Sequence, residues 1–458
     1  MEARLNYDVV IIGAGPAGST LSYFLGKEGS LRVLVIEQRG WDTLWSKPCG
    51  NAIGKHHFTQ LNLPEPRREE ILQEVRGAEV ISPKEDIVLT IKGEGYIIER
   101  GLLGKRMMRE AVNNGIEFYP RSRAIKPVLE NGFVRGVEAE IGGSRKIIRC
   151  NVLVDASGTV GVIKRQLPPN WPVSEPLDPR DTDVAFRERV LLENEIENPY
   201  HIKIYLDQNV APGGYWWFFP EGTNRANVGL GVQGGVGNPS PKKLYEEKIL
   251  SRPEMRGRKV LNAGGAVVPT RRPLDSLVWN GIIIIGDAAY TVNPVHGGGM
   301  GYAMIAAFWA HKAIIEAFEK GDYTAKGLWK LNMGYMRGIG AKQASLELAR
   351  IFMQKLGNQG LQFVMEKKLV SEDDVDLLSR KGELNESVAE RATRVLTMIL
   401  KAARAAFKPG LLMKLKALSD YMKTIKRHYE KYPEDPEELE KWSREAARIR
   451  ESFLNSIK

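Results

Sequence analysis

Apolar runs separated by glycine and polar residues divide the first two thirds of the chain into short strands and helices. The runs at residues 7–12 and 32–36 flank a helical stretch and predict a βαβ unit over residues 5–40. Residues 75–98 alternate between apolar and polar side chains, which is typical of antiparallel strands. The chain therefore begins as a mixed α/β fold with an early antiparallel pair.

Later apolar runs return to the same sheet. Two runs at residues 123–129 and 133–141 are separated by a Gly-containing turn and predict a hairpin. The short run at 152–154 and the longer run at 279–285 are interpreted as buried strands of the sheet that begins with the βαβ unit. That sheet is thus assembled from segments far apart in the sequence.

The chain divides into three regions. Five prolines between residues 168 and 179 mark a change of layer, after which the pattern is rich in strands until about residue 269 and largely helical from Asp322. We predict an α/β (α+β mixed) fold in three parts: a discontinuous first domain of residues 1–180 and 270–321 that includes a β insertion near 75–98, a β-sheet domain of residues 181–269, and a C-terminal helical domain of residues 322–458.

A glycine-rich turn joins the first strand to the first helix. Its members are Gly13, Gly15, Pro16, Ala17 and Gly18. Glycines there allow a tight turn and close approach of a pyrophosphate to the N-terminus of the helix, and Glu37 ends the next strand where a carboxylate can accept ribose hydroxyls. Strand, helix and acid together favour a Rossmann-like dinucleotide site over a glycine turn that serves packing alone.

A second glycine signature begins at Gly286, about 270 residues after the first. The strand at 279–285 runs into Asp287, where a second acid suits the ribityl chain of a flavin. A small-residue helix follows Gly298, Gly299 and Met300, and its N-terminus can stabilise negative charge on a flavin. The two signatures therefore predict FAD.

These elements resemble the FAD-binding elements of the p-hydroxybenzoate hydroxylase-like flavoproteins. The motif 212–220, PGGYWWFFP, is similar to the PxxYxWxFP motif of the geranylgeranyl reductases, and the loop 47–50, KPCG, to their cysteine-bearing flavin loop. Over roughly residues 5–330 the chain resembles the archaeal digeranylgeranylglycerophospholipid reductases of the Sulfolobus type. The resemblance implies further FAD contacts at Cys49, Gly50, Arg100, Ala124, Asp155 and Gly158.

The resemblance implies an oxidoreductase that saturates isolated C=C bonds of geranylgeranyl chains in archaeal membrane lipids. On a strand, Tyr215, Trp217 and Phe219 share one face, which we expect to line the prenyl pocket together with Pro220, while Trp216 supports the fold. Aromatic residues at period two are also common in ordinary cores, so the motif carries this assignment. Hydride from reduced flavin and a separate proton would complete the reduction.

Cys49 is expected to lie nearest the isoalloxazine ring, where it would donate the proton or tune the flavin. The plainer interpretation is that it packs as a small apolar side chain. Tyr215 and Trp217 are expected to stabilise positive charge that develops on the alkene. His296 precedes the glycine triplet and could lie near the flavin, although turn packing explains it equally. Two cysteines and scattered histidines give no metal-ligand spacing, so no metal is expected.

The net charge and the sequence motifs limit the classes of binding partner that are expected. The net charge is +10, which suits phosphate-bearing lipids or an acidic protein donor, and no module or basic aromatic stripe indicates nucleic acid. No second dinucleotide motif is found, which favours ferredoxin over NADPH as electron donor.

No apolar run is long enough to span a bilayer, so a cytoplasmic location is predicted. A basic amphipathic stretch at 401–431 would either touch the membrane from that side or pack on the body.

Two other functions share this pattern. A flavin monooxygenase of the p-hydroxybenzoate hydroxylase type would use the same fold on a small aromatic substrate. A prenyl-binding carrier on the same scaffold would not be an enzyme. Retention of both FAD signatures and their acids argues against the carrier.

Overall fold

Two eight-stranded sheets organise the computed structural model, which describes residues 5–367 and 409–458. The first sheet is mainly parallel at its centre, with strand order β15-β16-β9-β1-β2-β6 and the β7–β8 hairpin attached to β9. Its strands are β1 (Leu5–Ile12), β2 (Val33–Ile36), β6 (Glu117–Tyr119), β7 (Arg123–Glu130), β8 (Phe133–Ile141), β9 (Ser144–Asp155), β15 (Val278–Trp279) and β16 (Ile282–Ile284).

The second sheet combines an early part of the chain with the strand-rich middle. Its order is β14-β10-β13-β12-β11-β4-β5-β3. The pair β4–β11 is parallel, and all the other neighbouring strands of this sheet pair antiparallel. Its strands are β3 (Ala52–Gly54), β4 (Ile71–Ile81), β5 (Val88–Ile98), β10 (Thr182–Leu191), β11 (His201–Tyr205), β12 (Tyr215–Pro220), β13 (Arg225–Gln233) and β14 (Lys259–Pro269).

Helices cover the first sheet and form the C-terminal region. They are α1 (Pro16–Glu28), α2 (His56–Gln60), α3 (Arg100–Asn113), α4 (Pro241–Leu244), α5 (Met300–Lys320), α6 (Lys330–Tyr335), α7 (Ala341–Glu366), α8 (Pro409–Glu430) and α9 (Leu439–Ser456). Two π-helical turns, Tyr245–Ile249 and Met336–Gly340, follow α4 and α6, and α7 is broken at Gly357. Because β1 and β2 are covered on both faces, nearly all their side chains are buried.

The antiparallel pair near 75–98, which we predicted as an insertion in the first domain, belongs to the second sheet. Its strands β4 and β5 are hydrogen-bonded into the second sheet, because β4 lies beside β11 over five residue pairs from Gly77 to Ile81. The run at 279–285 also differs from one continuous strand. A turn at Asn280 and Gly281 divides it into β15 and β16, which pair antiparallel.

The amphipathic stretch near the C-terminus packs on the protein body. Within α8, Leu415 and Ile425 are buried, and Leu411, Leu418 and Met422 pack against the same core cluster. The apolar stripe therefore packs toward α7 and α9. Residues 401–408 of the basic stretch lie outside the described residues. Among the helices that the structure describes, none is long and apolar enough to cross a bilayer.

Candidate active site

Three turns meet at the carboxyl edge of the first sheet. They follow β1, β9 and β16, which run parallel, so their carboxyl ends lie side by side, as in other open α/β sheets. A Cβ on Gly13 would lie 2.6 Å from the carbonyl oxygen of Ala156, and one on Gly286 would lie 3.0 Å from the Cβ of Ala17. The two glycine signatures predicted to share one cofactor are therefore neighbours.

The first glycine turn is held by Glu37. One carboxylate oxygen of Glu37 accepts the Ala14 N–H at 2.7 Å, and the other accepts the Arg39 N–H at 2.8 Å. Gly13 has a φ of +98°, which an L side chain rarely adopts. A Cβ on Gly15, by contrast, would meet no atom within 4 Å, so the turn leaves open space at the N-terminus of α1.

A second helix N-terminus lies beside Asp287. No side chain caps the first turn of α5, and that turn contains no acidic residue. A Cβ on Gly299 would lie 3.2 Å from a carboxylate oxygen of Asp287. The same carboxylate is 3.4 Å from the Lys47 ammonium and 3.4 Å from the Thr159 hydroxyl. Asp287 is only partly buried, so it remains accessible to a ligand hydroxyl.

Asp155, predicted to contact FAD, bonds to the turn that follows its own strand. Its carboxylate is fully buried and accepts four hydrogen bonds, from the Ser157 N–H and hydroxyl and from the N–H groups of Ile163 and Lys164. These bonds order the turn after β9 and occupy the carboxylate. Within that turn Gly158 has open space around it, so it can still approach a cofactor.

The cysteine loop crosses from the first sheet to the second. Arg100, at the start of α3, donates to the Lys47 carbonyl at 2.8 Å, while its Nε is buried without a hydrogen-bond partner. Asn227 donates to the Cys49 carbonyl at 2.8 Å, and the Cys49 sulfur accepts the Asn51 N–H at 3.4 Å. The half-buried Cys49 is thus held between the two sheets.

The aromatic strand β12 has the two faces that the alternation predicts. Trp217 and Phe219 form a small cluster with Ile97, against which Tyr215 packs, whereas Trp216 and Phe218 belong to the core on the other side of the sheet. Pro220 is a correction to the sequence prediction. Pro220 is the sixth residue of β12, so it faces the side opposite to Tyr215, the first residue. It pairs with Ala226, which belongs to the same core as Trp216 and Phe218.

The aromatic face touches both segments that are predicted to bind the flavin. Phe219 packs on the cysteine loop, where a Cβ on Gly50 would lie 2.9 Å from its ring. The Tyr215 hydroxyl donates to the His296 carbonyl at 2.7 Å, just before the glycine triplet. The His296 ring is buried, which lowers its pKa to about 4 and keeps it neutral. The His296 ring also accepts the Gly298 N–H at 3.1 Å, so His296 helps to hold the turn that precedes α5.

Comparisons with known proteins bear on the same residues. The family model of the geranylgeranyl reductase catalytic domain matches residues 181–268, and that of the Thi4 family matches residues 1–90. The chain is 43% identical over 99% of both lengths to a digeranylgeranylglycerophospholipid reductase of Sulfolobus acidocaldarius. The chain belongs to the digeranylgeranylglycerophospholipid reductase family. The resemblance inferred from the motifs is confirmed.

More distant relatives agree with this family. A second digeranylgeranylglycerophospholipid reductase, from Methanococcoides burtonii, is 30% identical over 72% of this chain and 81% of its own. Among solved structures, a geranylgeranyl bacteriochlorophyll reductase-like protein of Thermoplasma acidophilum has a TM-score of 0.76 at 24% identity, covering 86% of this chain and 100% of its own. The FAD-dependent halogenase CndH has a TM-score of 0.61 at 18% identity, covering 92% and 97%. These likenesses show the fold.

Further features of this member of the reductase family are compatible with the predicted cofactor. Ala124 is buried near the start of β7, two residues after Ser122, whose N–H donates to the Glu37 carbonyl. The open space at Gly15, the two uncapped helix N-termini and the unpartnered Nε of Arg100 fit an anionic dinucleotide such as FAD. In residues 5–367 and 409–458 no group of three or more potential ligands could hold a metal.

Several site residues were missed by the sequence. Asp183, Arg187 and Asn227 lie on the aromatic face, but none belongs to a motif and only the pairing of strands reveals them. Lys47 belongs to the cysteine loop, but its contact with Asp287 was not predicted. Cys150, the other thiol, is fully buried in β9, which raises its pKa to about 12 and leaves it unreactive.

Proposed function

We propose that this protein reduces isolated C=C bonds in the geranylgeranyl chains of digeranylgeranylglycerophospholipid, as an FAD-dependent enzyme of archaeal lipid synthesis. The observation that carries the proposal is the aromatic face of β12. It is anchored to both flavin-binding segments, through Phe219 on the cysteine loop and through Tyr215 on His296. Identity of 43% over the whole chain to a reductase with this named substrate supports the same chemistry here.

FAD is the cofactor, and the residues that would hold it are those of the three converging turns. Glu37 retains lone pairs that would accept the ribose hydroxyls, and the partly buried Asp287 would accept those of the ribityl chain. The N–H groups at the start of α1 and α5 would receive the negatively charged parts of the cofactor. Reduced FAD would supply a hydride to one alkene carbon. Arg100 and Lys47 would place positive charge beside the cofactor.

The side chains of the aromatic face would bind and orient the prenyl chain. Trp217 and Phe219 are almost fully buried and offer apolar ring surface, which suits a chain that has no hydrogen-bonding groups. Ring faces also stabilise positive charge on carbon when a proton reaches an alkene that has no neighbouring carbonyl. The Trp217 indole is fixed by its bond to Asn227 at 3.1 Å, so it would hold one orientation.

Cys49 would contact the flavin from the loop that crosses between the sheets. Its backbone is fixed by Asn227, and its sulfur is half-buried beside Tyr215 and Arg187. A flavin monooxygenase and a prenyl carrier are less well supported, because the chain belongs to a reductase family over its whole length.

Mass spectrometry of the lipid product tests the proposal. Chemically reduced protein incubated with digeranylgeranylglycerophospholipid should yield products heavier by two hydrogens for each alkene reduced, and oxidised protein should yield none. Trp217→Ala should impair this reduction with little loss of thermal stability, whereas Trp216→Ala should do the reverse. An unchanged lipid in the presence of reduced, FAD-loaded protein would reject the function. An aromatic hydroxylation product would indicate the monooxygenase, and colourless protein the carrier.

We also propose reduced ferredoxin as the electron donor. A net charge of +10 attracts a small acidic protein, and an electron-transfer encounter needs only a modest interface. Stopped-flow bleaching of the flavin should be fast with ferredoxin and should slow as salt screens the attraction over a Debye length of about 10 Å at 0.1 M. Rapid bleaching by NADPH alone, without a response to ferredoxin, would contradict this choice.

Contact with the lipid surface is proposed to be peripheral and electrostatic. The apolar stripe of α8 is packed inward, so the exposed basic side chains of that helix, such as Lys416 and Arg427, would meet anionic headgroups. Sedimentation with anionic vesicles should carry the protein down at low salt and release it at high salt. Equal recovery with neutral vesicles would contradict an electrostatic contact.

A further inference from the structure

An acidic side chain lies on the aromatic face, two strands away from the aromatic residues. In β10, Ala185 pairs with Gly231 of β13, and Gly231 pairs with Tyr215 of β12. Residues paired in this way share a face of the sheet, and so do residues two apart on one strand. Asp183 therefore belongs to the face that carries Tyr215 and Trp217.

A notch separates Asp183 from the aromatic rings. The intervening residue is Gly231, and a Cβ there would come only within 3.9 Å of the Cβ atoms of Asp183 and Ala185. At the next row the sheet is filled, because a Cβ on Gly229 would lie 2.5 Å from the Trp217 ring. The glycine thus leaves room beside Tyr215 that the acid borders.

Asp183 also adjoins the turn that precedes α5. Its partner on β14 is Val268, and a Cβ on Gly297 would lie 4.0 Å from the Val268 side chain. One carboxyl oxygen of Asp183 is buried and has no hydrogen-bond partner. A buried polar atom without a partner is costly, so such an atom at the edge of a binding site needs an explanation.

Burial favours the neutral form of the Asp183 carboxyl, and the nearby positive charge is largely taken up by another acid. Burial raises the pKa of Asp183 to about 7, and the positive charge of Arg350 from α7 opposes this rise. Arg350 itself binds the Asp181 carboxylate at 2.7 Å, which takes up much of its charge. On the same face, Arg187 donates to Asn262 of β14, and Tyr215 faces Asp183 with its hydroxyl already bonded to His296. A substantial protonated fraction is thus present near neutral pH.

We propose that Asp183 is the catalytic acid that delivers the proton to the alkene, an inference that rests on the proposed function. The Asp183 O–H bond breaks, and its hydrogen forms a C–H bond with the π electrons of the alkene. The other alkene carbon accepts the hydride, so the reductant is oxidised by two electrons and the alkene gains two hydrogens. The carboxylate that remains takes a proton from solvent before the next turnover.

The neighbouring groups are less suited to this task. Burial raises the pKa of the Tyr215 phenol, and its hydrogen is donated to the His296 carbonyl at 2.7 Å. The Cys49 sulfur accepts the Asn51 N–H, and the Cys49 carbonyl is held by Asn227, which pairs with Phe219 at the far end of the aromatic face from Asp183. Asp183 combines a proton, a free oxygen and an adjoining notch.

Chemically reduced enzyme and digeranylgeranylglycerophospholipid test the assignment in single-turnover reactions. Asp183→Asn should retain FAD content and flavin reduction but slow alkene reduction about 10²-fold or more, the usual range for loss of a general acid. In wild type the rate should fall as pH rises through about 7, since the acid form is required. Asp183→Glu should restore part of the rate. Glu188→Gln, on the same strand but facing Tyr245 on the other side, should keep the pH profile.

A spectroscopic measurement tests the protonation without turnover. Infrared difference spectra of oxidised wild type and Asp183→Asn should show the carbonyl stretch of one protonated carboxyl, which disappears from wild type as pH rises through about 7. Absence of that band would overturn the proposal, as would full alkene reduction by Asp183→Asn. A pH profile abolished by Cys49→Ala and unchanged by Asp183→Asn would assign the proton to the thiol. If wild type leaves the lipid unreduced while the band is present, it is the proposed function that fails.

Discussion

Trp216 and Trp217 offer a matched test of the two faces of β12, because the same Trp→Phe change has different consequences at adjacent positions. The Trp217 indole donates to Asn227 at 3.1 Å, and Asn227 is completely buried. The Trp216 indole N–H is buried without a partner, and its ring stacks on Tyr205 at a centroid distance of 3.5 Å. Only Trp217→Phe therefore leaves a buried acceptor unsatisfied.

The expected difference follows from this single bond. Both variants lose similar ring volume, so their packing losses should nearly cancel in the comparison. The unsatisfied Asn227 oxygen costs about 1–3 kcal/mol, so Trp217→Phe should lower the free energy of unfolding by that much more than Trp216→Phe. Urea denaturation with equal m-values in both variants measures the difference.

A third variant identifies the source of the difference. Asn227→Leu removes the acceptor, so in that background Trp217→Phe should cost little more than Trp216→Phe. Equal losses for the two tryptophan variants in the wild-type background would refute the reasoning. A difference that persists in Asn227→Leu would also refute it, since the bond would then not be its cause.

Three further predictions concern the cofactor site and Asp183. Glu37→Ala and Asp287→Ala should each reduce the FAD retained after purification, by loss of contacts worth about 1–3 kcal/mol, as measured by flavin absorbance against protein. Gly15→Ala should match wild type in thermal stability without cofactor but bind FAD weakly, whereas Gly18→Ala should fold poorly, because its Cβ would lie 1.9 Å from the Gly13 oxygen. The raised pKa of Asp183 stabilises the fold fully below pH 3.8, and this contribution is lost as pH rises through about 7. Melting temperatures of Asp183→Asn should therefore decline less over that range than those of wild type, and parallel curves would contradict this.

The sequence predicts those parts of the site that depend on local backbone chemistry. The turn at Gly13, the acid Glu37 at the end of β2 and Asp287 after β16 all lie where strand and helix signals indicate. The period-two pattern also assigns the faces of Trp216 and Trp217 correctly. Each of these follows from a run of a few residues, so one chain segment suffices to predict it.

Features that depend on contacts between distant segments were not predictable in this way. Asp183 becomes part of the aromatic face only through the pairing of three strands, and its own strand has no motif. Asp155 has the position of a cofactor ligand in the sequence, yet the N–H groups of the following turn occupy its carboxylate. The same alternation places Pro220 on the face opposite to Trp217. The prediction nevertheless grouped the two residues, because both belong to the PxxYxWxFP motif.

The parallel pairing of β4 with β11 limits how this enzyme can be divided or recombined. The segment matched by the catalytic-domain family model, residues 181–268, contains β11 and its antiparallel partner β12. It does not contain the parallel partner of β11, which is β4 at residues 71–81. Expressed alone, that segment would present an unpaired strand edge, which invites aggregation. A chimera that exchanges substrate preference between two reductases would therefore have to include the hairpin of β4 and β5 together with the aromatic strand, because these strands are hydrogen-bonded into one sheet.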